Sequence, residues 1–374
     1  RKESSAASDV YKRQCLFLQI LLRSVSVDGA QQVTNSLLYL MKKALLSLLL
    51  LFVLMPGLSA QGHHHFDKGK RLEIHGYGQV YYDALLGPGK NSFGVNKSEL
   101  MGTMRITDRW SAAVLFQLNS PAILKELNMS YRFAPELSLR VGQMKTPFGL
   151  ENQLAPFLNP LSLGGTMPTV YFAGVGMDPL YSGTSGRDIG LELSGDLWGR
   201  VLSYKLAVMN GQGMNALDLG TTKMYGGALY IRPIPMLTLH ASYLGGELHA
   251  MGAGKGVEAG APYIRHRISG AVQLTTNPVS LTGEYMYGKD AGVVGQGAYL
   301  TAVAHMTKRY DFVASVDYLK TGMGPGSLLT STLGVQHWFG KLSRWQLEYR
   351  LVAPQGEGHG PMDHHIRMQF QFGF

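Results

Sequence analysis

Residues 365–374 read His-Ile-Arg-Met-Gln-Phe-Gln-Phe-Gly-Phe. Every second residue from Ile366 to Phe374 is apolar, and the residues between them are mostly polar. Successive side chains of a β-strand point to opposite faces, so this alternation predicts a strand with one apolar and one polar face. Its length matches the roughly nine to eleven residues with which a tilted strand crosses lipid. Strands of a soluble β-sandwich are usually shorter, at about five or six residues.

Segments of the same kind recur along the chain. We predict sixteen strands, at 72–84, 98–107, 110–119, 124–134, 136–145, 187–195, 199–210, 222–233, 236–247, 263–276, 278–289, 296–307, 309–321, 327–339, 342–353 and 363–374. Unpaired backbone groups in hydrocarbon cost several kcal/mol each, so such an array must close on itself. The strand ending at Phe374 is therefore expected to pair with the one beginning near Leu72. The sequence predicts an all-β, transmembrane antiparallel β-barrel.

Short and long connections alternate between the predicted strands. Tight turns are expected at 108–109, 196–198, 233–235, 277, 308 and 340–341, and longer loops at 85–97, 211–221, 247–263, 290–295 and 355–363. This alternation is typical of bacterial outer-membrane barrels, although the connection at 119–122 is short where a long one is expected. All four tryptophans fall at or beside predicted short turns, where the ring can lie at the level of the lipid headgroups: Trp110, Trp198, Trp338 and Trp345.

The N-terminal part predicts an export signal. Lys42 and Lys43 precede an apolar core at 44–54 and a small-residue end at Ala60, which together indicate a signal peptide at 41–60. Because a signal peptide works near a true N-terminus, we expect residues 1–40 to be an upstream translated segment that is not part of the natural product. The barrel is then expected to comprise residues 61–374.

Composition excludes several classes of protein. Of 374 residues, 45% are hydrophobic and 16% are charged, with 47 Gly and 19 Tyr, which suits a large all-β unit better than a helical one. Residues 1–60 hold seven Lys and Arg and three Asp and Glu, which leaves 27 basic and 22 acidic residues and a net charge of about +5. That charge is too mild to indicate nucleic acid as a partner. The one cysteine, Cys15, lies outside the predicted barrel, so no thiolate metal site is expected.

The connection at 146–186 differs from the others. It contains five prolines, many glycines and no strong alternation, and it is rich in Leu, Phe and Tyr. A loop of this length without strands of its own is usually functional or disordered, and this one is too apolar to remain in water. We predict that this third outer loop folds into the barrel and narrows the channel. The alternative is that it packs over the rim or into a subunit contact.

Two stretches resemble a known family. Residues 141–151, Val-Gly-Gln-Met-Lys-Thr-Pro-Phe-Gly-Leu-Glu, and residues 204–211, Tyr-Lys-Leu-Ala-Val-Met-Asn-Gly, are similar to the phosphate-selective porin O/P family. Residues 367–374 resemble the C-terminal signal by which outer-membrane barrels are recognised for assembly. The resemblance implies a sixteen-stranded channel in a Gram-negative outer membrane, a homotrimer, and a third outer loop folded inward.

Charge does not decide the selectivity. Basic residues line the constriction in phosphate-selective members of that family, yet the loop at 146–186 carries no Lys or Arg. Ten basic and ten acidic residues fall on predicted inward faces. The candidates for the pore lining and the constriction are Lys145, Arg132, Arg140, Arg105, Glu126, Glu151, Asp178 and Arg187. Lys145 with Arg132 and Arg140 forms the best candidate for a basic cluster, and a salt-bridge ladder with Glu126 is an equal alternative.

The sequence thus predicts a porin through which small hydrophilic solutes or ions, including anions such as phosphate, diffuse passively. Outer-membrane lipid and the solutes are the expected partners, with no cofactor and no metal. No Ser, His and acid set has the spacing of a hydrolase, so an enzyme is not predicted. The alternatives are a barrel-borne outer-membrane enzyme and a plugged barrel that acts as an adhesin or anchor.

Overall fold

The computed structural model describes residues 72–86, 89–181, 183–356 and 360–374. The predicted segments 1–40 and 41–60 lie outside these residues. The strands are β1 Leu72–Leu85, β2 Lys90–Arg105, β3 Trp110–Gln117, β4 Leu124–Ala134, β5 Leu137–Lys145, β6 Arg187–Leu197, β7 Leu202–Met209, β8 Met224–Ile234, β9 Leu237–His249, β10 Pro262–Leu274, β11 Val279–Asp290, β12 Val293–His305, β13 Tyr310–Lys320, β14 Ser327–Trp338, β15 Arg344–Gln355 and β16 Asp363–Gly373. Two short helices, α1 Leu150–Gln153 and α2 Met167–Phe172, and 3-10 turns at Pro156–Leu158 and Trp198–Arg200 complete the described elements. None of the described helices has the length and apolar character needed to cross a membrane.

The strands close into one barrel. Each strand is antiparallel to its neighbours in sequence, and β1 closes the barrel against β16, with Tyr77 opposite Gly373 and Leu85 opposite His365. Beyond the last strand, the amide of Phe374 donates to the carbonyl of Gly76 at 3.0 Å. The predicted fold class and the predicted pairing of the last strand with the first are therefore confirmed.

The barrel is apolar outside and polar inside. In β16 the side chains of Met368, Phe370 and Phe372 are exposed, whereas those of Gln369 and Gln371 are buried. A soluble protein would bury the apolar set, and burying polar groups requires partners for them. The exposed apolar surface is the face that contacts lipid, as the alternation predicts.

Two predicted long loops are wrong. The region 85–97 is mostly strand, because β1 continues to Leu85 and β2 begins at Lys90. The region 290–295 is a two-residue turn in which Ala291 and Gly292 both have positive φ, at 51° and 82°. Two central residues with positive φ match the twist of the flanking strands and allow a tight hairpin. In both regions, glycine residues therefore lie in strand ends and tight turns and do not indicate a long loop.

Trp338 does not lie at the lipid headgroups. Its indole Nε1 donates to Asp311 Oδ2 at 2.9 Å, and the Arg344 guanidinium lies 4.7 Å from its ring centroid. The ring therefore faces the barrel interior, where Asp311 needs a donor. For Trp338 the prediction from turn position is wrong, whereas Trp110 and Trp198 are exposed as expected.

Gly142 in β5 is required by the close approach of β4. Its φ is 126°, and a Cβ added at this position would lie 2.2 Å from the carbonyl oxygen of Leu127. We expect Gly142→Ala to cost about 1–3 kcal/mol of barrel stability, because backbone strain of this kind has that magnitude. The measurement is the temperature at which the folded barrel unfolds in detergent, read from the change in its migration on a denaturing gel. Gly270→Ala in β10 is the control, since nothing lies within 4 Å of its added Cβ, and equal conversion temperatures would contradict this explanation.

Candidate functional site: the inward loop and the cavities beside it

The loop at 146–186, which we call the inward loop, crosses the barrel interior. Its start reaches the opposite wall, where the Leu150 amide donates to Glu284 Oε1 of β11 at 2.8 Å. Further on, Arg344 of β15 donates to the carbonyls of Phe157 and Asn159 at 3.1 and 2.7 Å. The predicted inward fold is confirmed, and the loop does not lie over the rim.

The returning half of the inward loop packs against β11, β12 and β13 through α2. A Cβ added at Gly297 in β12 would lie 2.9 Å from Pro168, the second residue of α2. Strand glycines that face the lumen thus provide the space in which the helix is seated. The aromatic rings of Tyr171 and Phe172 are buried at this contact.

A buried group of charges, which we call the ion cluster, holds the end of the inward loop. It consists of Asp178 from the loop, Arg265 and Arg267 from β10, Asp290 from β11, and Lys255 from the loop between β9 and β10. Asp178 Oδ2 accepts from Arg265 at 2.7 Å, and the side chains of both arginines have no exposed area. Burial alone would raise the pKa of the Asp178 carboxyl, but the charges of Arg267, Arg265 and Lys255 outweigh it and hold that pKa below its usual value.

Carboxylates organise the middle of the inward loop. Glu151 accepts from the hydroxyl of Thr166 at 2.6 Å and from Asn159 Nδ2 at 3.0 Å, which ties two parts of the loop together. Glu348 of β15 accepts from the Ser162 amide at 2.6 Å. The inward loop carries no Lys or Arg. Its backbone amide and carbonyl groups pair instead with charged side chains of the barrel wall, which form stronger hydrogen bonds than neutral groups do.

Cavities remain on both sides of the inward loop. One of about 500 Å³ lies between the loop and β1–β7 and includes Glu126, Arg140, Lys145, Arg187 and Lys205 in its lining. A narrow one of about 90 Å³ shares Lys145, Pro156 and Arg187 with the first and adds Lys97. A third, of about 900 Å³, shares Arg140 and Lys205 with the first, and a fourth, of about 830 Å³, lies between the loop and β10–β15. The narrow cavity is the smallest of the four and lies directly against the inward loop.

Charges around the 500 Å³ cavity and the narrow cavity are only partly paired. Arg187 Nη2 lies 2.8 Å from Glu126, and Arg140 Nη1 lies 3.4 Å from Glu192. Lys145 instead donates to the carbonyls of Asn152 and Leu154, both at 2.7 Å, at the C-terminal end of α1, where a cation is favourable. Among the described residues no carboxylate lies within 4.0 Å of the ammonium of Lys145, Lys205 or Lys125. Within the described part of the barrel, three ammonium groups, on β4, β5 and β7, therefore lack a carboxylate partner, although β6 between β5 and β7 carries carboxylates, among them Glu192 beside Arg140.

The structure brings together four of the eight candidates: Glu126, Arg140, Lys145 and Arg187 line one cavity. Arg132 lines the 900 Å³ cavity, and Arg105 lies with Glu73 in a further cleft; Arg140 lines both. Glu151 lies within the inward loop and lines the narrow cavity with Lys145 and Arg187, and Asp178 belongs to the ion cluster. Glu126 pairs with Arg187, as a salt-bridge ladder requires, while Lys145 has carbonyl partners.

Sequence reasoning missed Lys97, which lines the narrow cavity, and Lys125, which donates to Ser185 in the lining of that cavity at 3.0 Å. Lys97 falls in the region 85–97 that was predicted as a loop, and both lysines lie at strand bulges, where an inserted residue changes which side chains face inward. The register of β1 with β2 shifts between Gln79 and Val80, which leaves Asn96 unpaired beside Lys97. The register of β3 with β4 shifts after Leu115, where Lys125 is the extra residue.

No group of three or more His, Cys, Asp or Glu side chains in the described ranges is placed to hold a metal ion.

Comparisons with known proteins support the fold. An anion-selective porin from Comamonas acidovorans superposes with a TM-score of 0.63 at 13% identity, over 82% of this chain and 100% of the other. OmpF of Salmonella typhi gives 0.63 at 11% identity, over 82% and 98%. The outer membrane channel DcaP of Acinetobacter baumannii gives 0.58 at 8% identity, over 82% and 98%. No family model matches the sequence, and no curated protein is significantly similar to it. The chain thus has the porin-type barrel of Gram-negative outer-membrane proteins.

Proposed function

We propose that this protein is a porin through which small hydrophilic solutes or ions diffuse passively across the outer membrane of a Gram-negative bacterium. The observation that carries the proposal is the narrow cavity beside the inward loop, which Lys97, Lys145 and Arg187 help to line. Larger cavities adjoin the loop on both of its sides. Polar walls with a narrowing beside an inward loop suit a channel that limits solutes by size and charge.

Anions, phosphate among them, are the proposed solutes. The ammonium groups without carboxylate partners on β4, β5 and β7 support this preference, because they attract anions to the constriction. The resemblance of residues 141–151 to the phosphate-selective porin O/P family agrees with it. We also propose the domain boundaries given above, with a signal peptide at 41–60 and the barrel at 61–374.

A homotrimer is the proposed assembly. In its support, OmpT of Vibrio cholerae in a trimer form superposes with a TM-score of 0.61 at 11% identity, over 82% of this chain and 99% of the other. Mass measurement of the detergent-solubilised barrel tests the proposal, and a monomer under mild conditions would refute it.

Recording from single channels in a planar bilayer tests the channel and its ion preference. In a salt gradient we expect a reversal potential that favours anions, and we expect Lys97→Gln to move it towards zero, because one cation is lost from the lining of the 90 Å³ cavity. Lys341→Gln is the control, since this lysine lies exposed in the turn between β14 and β15. A closed barrel without conductance would refute the channel, and a cation-favouring potential in the unmodified protein would refute the preference.

A further inference from the structure

The 500 Å³ cavity has two unlike faces. One face is mostly apolar and is formed by Tyr77, Met101, Leu115, Pro156 and Phe157, with the Glu99 carboxylate of β2 opposite Tyr77. The other carries the charged side chains of β4–β7. Lumen walls of water-filled barrels are polar, so an apolar face inside the lumen needs an explanation.

Strand register places the apolar side chains side by side. Met101 of β2 lies opposite His75 of β1 on one side and opposite Leu115 of β3 on the other. Leu115 in turn lies opposite Glu126 of β4, so the apolar row ends where the charged face begins. The two faces are thus neighbours on one continuous wall.

The inward loop completes the apolar face with a well-supported ring. The Phe157 ring lies 5.3 Å from the Tyr77 ring, between their centroids, in an edge-on arrangement. The Phe157 carbonyl accepts from Arg344 and from Gln371, at 3.1 and 3.2 Å. Backbone hydrogen bonds to two different strands fix the position of this residue, so the apolar face is pre-organised rather than an accident of a mobile side chain.

The charged face offers cations at the same cavity. Lys145 and Lys205 line it, and neither has a carboxylate within 4.0 Å among the described residues. Lys205 donates to Gln153 Oε1 at 3.1 Å, a neutral partner that an anion can replace. An inorganic anion would use only this face and would leave the apolar one in water.

We propose that the cavity accepts organic anions in which the charged group is attached to an apolar, and above all aromatic, body. The anionic group pairs with Lys145 and Lys205, and the ring covers Met101, Leu115 and Phe157. This proposal rests on the proposed channel function and names the class of solute that the channel favours. The apolar contact adds affinity that a small inorganic anion or a short carboxylate cannot obtain.

Block of the chloride current by two probe anions tests the proposal. Benzoate and acetate carry the same carboxylate and differ in the ring. We expect benzoate to block half of the current at a concentration about tenfold lower than acetate, a ratio that corresponds to about 1.4 kcal/mol. Equal half-blocking concentrations in a conducting channel would overturn this proposal and leave the channel function intact, whereas absence of conductance would overturn the channel function itself.

Variants of the cavity lining test which residues cause the difference between block by benzoate and block by acetate. Met101→Gln combined with Leu115→Thr should bring the ratio of the two half-blocking concentrations close to one. Val303→Thr, on the wall of the 830 Å³ cavity, is the matched control and should keep the full ratio. Lys205→Gln should weaken block by both anions to the same extent.

A ratio that survives the double variant would overturn the assigned site. Gel migration before and after heating establishes that each variant barrel is folded. If the double variant does not fold, Met101→Gln alone provides the same test with a smaller decrease in the ratio.

Discussion

Deletion of residues 156–176 should raise the single-channel conductance by roughly a factor of two or more, because the open cross-section governs conduction through a constriction. The deleted segment includes the stretch whose backbone pairs with Arg344 and Glu348, and all of α2. It leaves Lys145 with its carbonyl partners at Asn152 and Leu154, and it leaves Asp178 in the ion cluster. The ends of the inward loop are thereby retained while its middle is removed from the lumen.

A second loop provides the control for this deletion. Removal of 216–220 from the loop between β7 and β8 takes away exposed residues, among them Leu217 and Leu219, and none that line the cavities described above. Conductance is expected to remain at the value of the unmodified protein. If the deletion of 156–176 also leaves the conductance unchanged, the inward loop does not constrict the channel.

Asp178→Asn should release the end of the inward loop. The carboxylate pairs with three cations, and the arginines among them have no exposed side-chain area. Removal of one partner from a buried ion pair costs up to about 3–5 kcal/mol, and here three cations would share the single carboxylate of Asp290. The loop can avoid this cost by leaving the wall, which lets water reach Arg265 and Arg267. We therefore expect noisier and larger conductance, together with cleavage of the loop by an added protease.

Two further variants distinguish loss of the Asp178 ion pairs from a general loss of barrel stability. Asp178→Asn with Arg267→Met removes one charge of each sign and should recover part of the lost protection, because the two effects are coupled. Asp218→Asn breaks a pair with Lys223 in a partly exposed loop, where such pairs contribute less than about 1 kcal/mol. A barrel whose loop stays protected in Asp178→Asn would show that the ion cluster does not hold the loop.

Much of the fold could be predicted because lipid demands a simple pattern. A side chain that faces lipid must be apolar, and one that faces the lumen is polar. Alternate residues of each strand therefore show in the sequence which side of the barrel wall they face. The predicted 124–134 coincides with β4, and the predicted 363–374 differs from β16 by a single residue. The ends of strands that extend beyond the lipid need no alternation of apolar and polar residues. For this reason the pattern predicts a loop at 85–97, where the structure has the β1–β2 hairpin.

The candidate site was predicted less completely. Arg140, Lys145 and Arg187 were identified because they lie in regular strands or beside the unusual loop. Lys125 was missed because a bulge at this residue interrupts the alternation of β4, and the residue that a bulge adds is not visible from period alone. Lys97 was missed because it falls in the region 85–97 that was predicted as a loop, where β2 continues past a bulge at Asn96. The assignment of Asp178 to the ion cluster also needed the fold, since Asp178 and Arg267 are 89 residues apart in sequence.

The sequence by itself determined the barrel, its strand number and the pairing of its two ends, because alternation and closure in lipid leave one arrangement for such strands. It predicted that the 146–186 loop enters the barrel but left packing over the rim as an alternative, which the contacts of the loop with β11 and β15 exclude. The tertiary structure alone decided which wall the loop lies against, which charges it neutralises and which lysines remain without carboxylate partners. These properties depend on side chains brought together from distant strands, and register shifts of one residue change them.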